Sequence, residues 1–131
     1  MKIKYIFFDD YRFSEEHYAV GFSNETKFDI TPNYEYEVYG MCIWRKILMY
    51  LLCDDYNLPC FYPSELFKVV QYELPTYWKF TTYDNDEYSA KAIWGYPELV
   101  DDDNHYIALQ ERDKAALKIF LDMKSKFKGQ N

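Results

Sequence analysis

Residues 34–39 alternate aromatic or aliphatic side chains with charged ones, with a period of two. Tyr34, Tyr36 and Val38 fall on one face of this segment, and two glutamates fall on the other. The alternation predicts a half-buried β-strand, because successive side chains of a strand point to opposite faces. Other segments rich in aromatic and β-branched residues, bounded by turn residues, predict one more strand and two hairpins. These predicted strands are residues 2–8, residues 18–22 paired with 27–30, and residues 77–83 paired with 88–94.

The stretch from residue 40 to residue 53 is almost continuously apolar, and Arg45-Lys46 interrupts it. Two interpretations fit this stretch: a fully buried helix that is apolar on all sides, or two strands that turn at the basic pair. The pair lacks the Asn-Gly chemistry of a tight hairpin turn, which counts against the second interpretation. We favour the hairpin, because the strand predicted at residues 34–39 runs into this stretch without a helix-start signal.

The next segment is predicted to be a loop followed by a short helix. Residues 54–63 contain two prolines, which predict a loop. Ser64 precedes an acidic residue and an apolar run, as an N-cap residue does, so residues 64–70 predict a short helix. Pro75 ends this pattern, since proline cannot continue a helix.

The strongest helical pattern lies near the end of the sequence. Apolar residues spaced three and four apart predict one long amphipathic helix over residues 106–127, with a single polar interruption. Asp101–Asp103 precede this helix, where carboxylates favour the positive end and one of them can cap the first turn. Three lysines near residue 126 suit the negative end, and Gly129 follows as a stop. The predicted seam consists of Tyr106, Leu109, Asp113, Ala116, Phe120, Met123 and Phe127.

Together these patterns predict a single α+β domain over residues 1–131. We expect an antiparallel sheet of about five to seven strands, one short helix and a long C-terminal helix. The length of 131 residues, 49% of them hydrophobic, is enough to form one hydrophobic core.

The charge is negative overall and unevenly distributed. The formal net charge is −7, but residues 1–111 carry −11 and residues 112–131 carry +4. A negative body repels nucleic acid phosphates and anionic lipid, so we expect neither nucleic acid nor membrane as a partner. The same field attracts a basic protein. Net negative charge is also an ordinary means of solubility, so this feature alone does not identify a partner.

Motifs that would carry catalysis or bind a cofactor are absent from the sequence. The histidines, His17 and His105, and the three cysteines lack metal-ligand spacing. No G-x-S-x-G elbow and no glycine-rich phosphate loop occurs. We therefore expect no enzyme activity, no metal and no cofactor. The acidic clusters at residues 9–10, 54–55 and 101–103 leave one alternative, in which carboxylates converge on Mg²⁺ or form an acid–base pair.

The cysteines predict the cellular compartment. Cys42, Cys53 and Cys60 are an odd number in a chain that can form a core without disulfides, so we expect reduced thiols and a cytoplasmic protein. The first residues contain too short an apolar run for a signal peptide, and no apolar run is long enough to span a membrane.

Two acidic stretches that also carry aromatic residues predict a binding surface. Aromatic residues make up 21% of the chain, and tyrosine combines an apolar ring with a polar tip that suits protein contacts. Acids beside tyrosines would steer and then hold a basic protein. The predicted partner-binding residues are Asp9, Asp10, Glu15, Glu16, Asp84, Asp86, Glu87, Tyr88, Tyr96, Asp101, Asp102 and Asp103.

The chain resembles the small, acidic, aromatic-rich immunity proteins that are encoded beside bacterial toxins, including those of contact-dependent inhibition. The segments that carry this resemblance are Glu-Val-Tyr-Gly at 37–40, Phe-Tyr-Pro-Ser-Glu-Leu-Phe at 61–67 and Ile-Trp-Gly-Tyr-Pro-Glu-Leu at 93–99. The likeness is one of size and texture over the whole chain, and this class shares no common signature. The resemblance implies a 1:1 inhibitor that covers the active site of a basic toxin domain, often a nuclease, but it transfers no site residue.

The sequence is also compatible with two other functions. The first is a phage-type inhibitor whose acidic face imitates DNA and occupies a host defence protein. The second is a small enzyme or ligand-binding domain that uses an aromatic pocket. Genomic neighbourhood separates the immunity protein from the phage inhibitor, because an immunity gene lies beside its toxin gene.

Overall fold

A computed structural model describes residues 1–6, 15–19, 21–22, 26–83 and 90–126 of this α+β protein. Its strands all pair antiparallel. The elements in chain order are β1 (Lys2–Tyr5), α1 (Glu15–Ala19), β2 (Glu35–Glu37), β3 (Gly40–Trp44), β4 (Ile47–Cys53), β5 (Pro59–Pro63), a 3₁₀ turn (Ser64–Leu66), β6 (Phe67–Gln71), β7 (Lys79–Thr82), β8 (Ala92–Gly95), α2 (Pro97–Asp101), α3 (Asp103–Gln110) and α4 (Lys114–Lys126).

The α+β class predicted from the sequence is confirmed, with the strands divided between two sheets. In the described residues, one sheet has the strand order β2-β1-β6 and the other has the order β5-β4-β3-β8-β7. The sequence patterns predicted one sheet, because periodicity defines strands but does not say which strands share a ladder. The prediction of a single domain over residues 1–131 stays a prediction.

The apolar stretch from residue 40 to residue 53 forms the hairpin at the centre of the larger sheet. Strands β3 and β4 pair over their length, and Trp44 lies opposite Ile47. Arg45 and Lys46 form the two-residue turn with φ angles of 48° and 68°. Positive φ at both central residues is the geometry of a type I′ turn, whose twist matches that of the strands. The hairpin interpretation is confirmed, and the buried-helix alternative is wrong.

Strand β4 is apolar on both faces because the larger sheet is covered on both sides. Met49 and Leu51 pack against the helices, whereas Tyr50 and Leu52 pack towards the smaller sheet. The molecule therefore has a helix layer, a five-stranded sheet and a three-stranded sheet. A strand buried on both faces reads as a continuous apolar run, which explains the ambiguity of this stretch in the sequence.

The strands predicted at residues 2–8 and 34–39 contribute β1 and β2 to the smaller sheet, and residues 7 and 8 lie outside the described residues. Lys2 pairs with Glu37, and Lys4 pairs with Glu35. The alternation of residues 34–39 thus places its glutamates opposite the lysines of β1, where unlike charges are favourable. The register places unlike charges opposite each other, although no ion pair within 4 Å joins them in the described structure and Glu37 Oε1 is buried without a hydrogen-bond partner there.

The hairpin predicted from residues 18–22 and 27–30 is wrong. Residues 15–19 form α1, and residues 26–30 form no strand in the described structure. Buried His17 of α1 contacts Glu65, with 2.9 Å between Nε2 and Oε2. Tertiary packing of this kind overrides a weak local preference for strand.

The loop predicted at residues 54–63 is confirmed for residues 54–58 and wrong for 59–63, and the helix predicted at 64–70 is wrong over most of its length. Residues 59–63 form the edge strand β5, with a proline at each end, a position that costs the ladder least. The 3₁₀ turn covers residues 64–66, and Ser64 does not cap it, because the N-cap is Pro63. The segment that follows pairs with β1 as β6, with Phe67 opposite Tyr5.

The two arms predicted at 77–83 and 88–94 do pair, since β7 and β8 are neighbours in the larger sheet. The turn between them at residues 84–87 and the first two residues of the second predicted arm, 88 and 89, lie outside the described residues. Within the described residues, the helix predicted over 106–127 forms two helices, α3 and α4, rather than one; Phe127 of the predicted seam lies outside those residues. The break falls at residues 111–113, where Arg112 has a φ of 57°.

Asp113, the polar residue in the predicted seam, begins the second of these helices. Its Oδ2 atom accepts hydrogen bonds from the amides of Ala115 and Ala116 at 3.1 and 3.3 Å, so it caps α4. The apolar seam itself is real: Phe120 is fully buried and packs edge-on against Tyr39, with 5.3 Å between ring centroids. The spacing therefore gave the correct buried face and missed the break.

Candidate functional site

The three aspartates at residues 101–103 lie where α2 meets α3, and the fold holds this junction firmly. Pro97 stands at the start of α2, where its fixed φ suits a first helical turn. Buried Leu99 anchors α2 on the larger sheet, above Gly40 and Gly95. A Cβ at Gly95 would lie 2.7 Å from Leu99 Cδ2 and 3.0 Å from the Tyr39 carbonyl oxygen. Both glycines thus allow α2 to approach the sheet closely.

Each of the three aspartates makes a different local contact. Asp101 forms an ion pair with Lys79 of β7, with 2.7 Å between Oδ2 and Nζ. Asp102 caps α3, because its Oδ1 accepts a hydrogen bond from the Asn104 amide at 2.9 Å. The Asp103 carboxylate accepts a hydrogen bond from the Tyr83 phenol. All three aspartates are exposed, so the cap expected from the sequence is confirmed at Asp102 while its charge stays at the surface.

These aspartates line a shallow depression between β7 and the helix layer. Its volume is about 510 Å³, and we call its lining the acidic patch. Burial, the hydrogen bond to Asp103 and the nearby carboxylates all raise the pKa of Tyr83, so its phenol stays protonated. The patch therefore combines carboxylate acceptors with a neutral aromatic hydroxyl. The acidic patch consists of Phe80, Thr81, Tyr83, Val100, Asp101, Asp102 and Asp103.

Exposed Phe80, which lines the acidic patch from β7, contacts the half-buried ring of Trp94 in β8. Phe80 is 53% exposed and lies directly opposite Trp94 in the β7–β8 ladder. Their ring centroids are 4.7 Å apart, so the rings stack across the two strands. Phe80 alternates along β7 with Lys79, which contacts Asp101, so the Phe80 ring lies on the face of the sheet that carries Trp94 and not on the face that carries the aspartates. The signal for Phe80 in the sequence is its place in the predicted strand 77–83.

The structure divides the predicted partner-binding residues into three groups. Asp101, Asp102, Asp103 and Glu15 are exposed. Tyr96 is fully buried in the core, so it offers no surface to a partner. The side chain of Glu16 lies outside the described residues, as do Asp9, Asp10, Asp84, Asp86, Glu87 and Tyr88.

Tyr96 is instead paired with a buried histidine. Its hydroxyl lies 2.6 Å from His105 Nε2, and the other ring nitrogen, Nδ1, is buried without a partner in the described structure. Burial lowers the pKa of His105, and the neighbouring Asp102 and Glu98 carboxylates oppose that shift. The pair links α3 to the start of α2 immediately below the acidic patch.

The Mg²⁺ alternative finds no support in the described part of the chain. Asp55 accepts hydrogen bonds from the Tyr36 hydroxyl at 2.7 Å and from Thr31 Oγ1 at 2.6 Å. Asp54 accepts from the amides of Tyr56 and Leu58, which closes the turn before β5. Across the described ranges, no three His, Cys, Asp or Glu side chains converge as metal ligands would. Asp9 and Asp10 fall outside those ranges.

Comparison with known proteins identifies no relative. No protein-family model, no curated protein and no solved structure matches the chain. None of the helices in the described residues combines the length and the apolar character needed to cross a membrane.

Proposed function

We propose that this protein is a stoichiometric inhibitor of a basic protein, of the kind that protects bacteria against a neighbouring toxin. The observation that carries this proposal is the acidic patch, in which three consecutive exposed aspartates lie at the α2–α3 junction beside the protonated Tyr83 phenol. A loop of solvated acids would not require this support. Residues 1–111, which include the patch, carry a net charge of −11.

The chemistry of the patch suits a cleft rich in lysine and arginine. Of the three aspartates, only Asp101 has a base within ion-pair distance in the described structure. Asp102 and Asp103 bond to an amide and a phenol, which leaves both carboxylate charges uncompensated by a nearby base. Such a surface attracts a basic domain over a distance and offers acceptors to its guanidinium groups. A nuclease toxin has a cleft of this kind, because it binds phosphates.

We infer a 1:1 complex that forms in the cytoplasm and closes the active site of the toxin, as in contact-dependent inhibition systems. The three cysteines are free thiols in the structure, which is consistent with a reducing compartment. The protein itself performs no catalysis in this proposal.

Co-expression with the product of the adjacent gene tests the proposal directly. We expect the two proteins to co-purify at 1:1 and the toxic activity of the neighbour to disappear in the complex. A matched pair of variants locates the contact. Asp101→Lys with Asp103→Lys reverses two charges in the patch and spares the capping Asp102, whereas Glu111→Lys with Asp122→Lys makes the same change elsewhere.

The proposal predicts that the first double variant loses protection and the second retains it. Equal protection by both folded variants would show that the acidic patch is not the contact surface. Failure of every neighbouring gene product to bind would overturn the proposed function itself.

A further inference from the structure

A second concave site lies on the helix side of the larger sheet, near its β5 edge. It is a pocket of about 220 Å³ between the sheet and α3, and we call it the apolar pocket. Cys42, Met49 and Leu51 line it from the sheet, and Tyr106 and Leu109 line it from α3. All five side chains are buried, so they form the inner wall.

The outer part of the apolar pocket is aromatic on two sides and polar at its rim. Trp44 and Phe61 are half-buried wall residues, and Phe61 packs edge-on against Tyr106 with 5.6 Å between ring centroids. Gln110 and Arg112 are exposed and stand at the rim. A mostly apolar cavity with a few polar groups at one end is the usual form of a small-molecule site.

Arg112 is the ionised group of this pocket. Burial raises the pKa of the Cys42 thiol to about 12, and it also raises the pKa values of Cys60 and Tyr106. These groups therefore stay neutral at physiological pH. Arg112 has no carboxylate within ion-pair distance in the described part of the chain, which leaves its guanidinium available.

The volume limits the size of the ligand. A cavity of about 150 Å³ lined by aliphatic and aromatic side chains holds benzene. The apolar pocket is larger than that by the volume of a small substituent, so it fits one six-membered ring with a short polar group. The polar group must lie towards the rim, because the inner wall consists mainly of apolar side chains.

We propose that the apolar pocket binds a small carboxylate that carries one apolar ring. The ring lies between the sheet and α3, and the carboxylate faces Arg112, whose planar guanidinium matches a carboxylate in charge and shape. The acidic patch takes no part in this site, so the inference is independent of the proposed function.

Benzoate is the probe that tests this site on the full chain, with benzamide and benzylamine as neutral and cationic probes of similar size. Binding is followed by the indole N–H resonances of Trp44, Trp78 and Trp94 in ¹⁵N-labelled protein. We expect benzoate to shift the Trp44 resonance with a dissociation constant of about 1 mM or tighter. Trp78 and Trp94 do not line the pocket, so their resonances should stay in place.

Three variants measure separately how the charge of Arg112 and the space in the pocket contribute to probe binding. Arg112→Gln should weaken benzoate binding about three- to ten-fold and leave benzamide unchanged, because it removes the charge-assisted contact and keeps the ring site. Lys114→Gln removes the same charge two residues away and should alter neither probe. Leu109→Trp fills the cavity and should abolish binding of both probes.

Several results would overturn the inference. They are an unmoved Trp44 resonance at 10 mM benzoate (~ten times the weakest dissociation constant expected), equal binding of benzylamine and benzoate, and equal loss of benzoate binding in the Arg112 and Lys114 variants. If Leu109→Trp does not fold, the comparison of the three probes on the unaltered protein still decides the matter.

Discussion

The hydroxyl of Tyr96 lies 2.6 Å from Nε2 of His105, and both side chains are buried. One of the two groups donates its proton to the other, and His105 Nδ1 stays without a partner in either arrangement. A second proton on this ring would place a charge in the core. The contact therefore ties the helix junction that carries Asp101–Asp103 to the protonation state of a buried imidazole.

This relationship predicts the pH dependence of stability. Burial lowers the pKa of His105 below its ordinary value of 6.5, so the unfolded state takes up a proton before the folded state does. The His105 contribution to stability is complete above about pH 6.5 and is lost as pH falls below it, by up to about 1.4 kcal/mol per pH unit. Denaturant titrations between pH 5.5 and 7.5 measure this slope. His105→Gln should flatten it, and an unchanged slope would assign the effect to groups other than His105.

Removal of the Phe120 ring should destabilise the fold strongly. Phe120 is fully buried between Tyr39 and Tyr96, with ring centroids 5.3 and 6.3 Å away. We expect Phe120→Ala to lower the free energy of unfolding by about 3–5 kcal/mol. The neighbouring residue Ile119 is 39% exposed, so Ile119→Ala should cost less than about 1.5 kcal/mol and serves as the control. Similar losses for the two variants would contradict the packing of α4.

The turn of the central hairpin can be improved by one substitution. Lys46 has a φ of 68°, a conformation that costs a side-chain-bearing residue about 1–2 kcal/mol and costs glycine nothing sterically. Relief of this cost is offset by about 0.5–1 kcal/mol, because glycine loses more backbone entropy on folding than lysine does. Lys46→Gly should therefore stabilise the protein by about 0.5–1 kcal/mol in chemical denaturation. Lys118→Gly within α4 is the matched change and should destabilise by about 1 kcal/mol.

A methyl group at Gly95 should disturb the junction that presents the acidic patch. Gly95 has a φ of 153°, and an added Cβ would meet Leu99 Cδ2 at 2.7 Å and Gly40 Cα at 3.0 Å. We expect Gly95→Ala to cost about 2 kcal/mol or more, as measured by thermal unfolding. Leu99→Ala in the same chain should not restore stability, because the contact with Gly40 is with backbone. Full recovery in the double variant would show that side-chain crowding alone sets the cost.

The acidic patch should govern the rate of association with a basic toxin. Asp101→Asn with Asp103→Asn should lower the association rate constant by about ten-fold at low salt and weaken its salt dependence, because long-range attraction steers encounter. Glu111→Gln with Asp122→Asn removes the same charge elsewhere and should change the rate much less. Stopped-flow or surface-based kinetics provide the measurement, with the stability of each variant checked alongside. A salt-insensitive rate in the unaltered protein would exclude electrostatic steering.

Local patterns in the sequence were sufficient to predict which side chains are buried where a segment has one polar and one apolar face. The spacing of Phe120 and Met123 gave the correct buried face, because burial of an amphipathic segment depends on its own periodicity. The alternation at 34–39 was correct for buried Val38 and half-buried Tyr36 and wrong for Tyr34, which is 62% exposed. The same logic placed a cap at the aspartates before α3. The α3–α4 break was missed because Asp113 was counted as an interruption of one seam, although it is an N-cap of a second helix.

Burial from two sides and long-range pairing were decided by the tertiary structure. Residues 64–70 carry the local signals of a helix, yet Phe67–Gln71 forms β6 because β1 supplies a partner strand. Tyr96 was expected at a contact surface because it is a tyrosine in an acidic stretch of the sequence. The packing of α2 and α3 instead places it in the core beside His105. The sequence by itself determined the α+β class and the exposed aspartates, since these follow from local preference and charge, and it favoured the central hairpin without excluding a buried helix. Only the tertiary structure decided that the strands form two sheets, that Asp103 meets Tyr83, and that a pocket opens beside Arg112. Each of these depends on contacts between residues distant in the chain, whose free energy no local pattern contains.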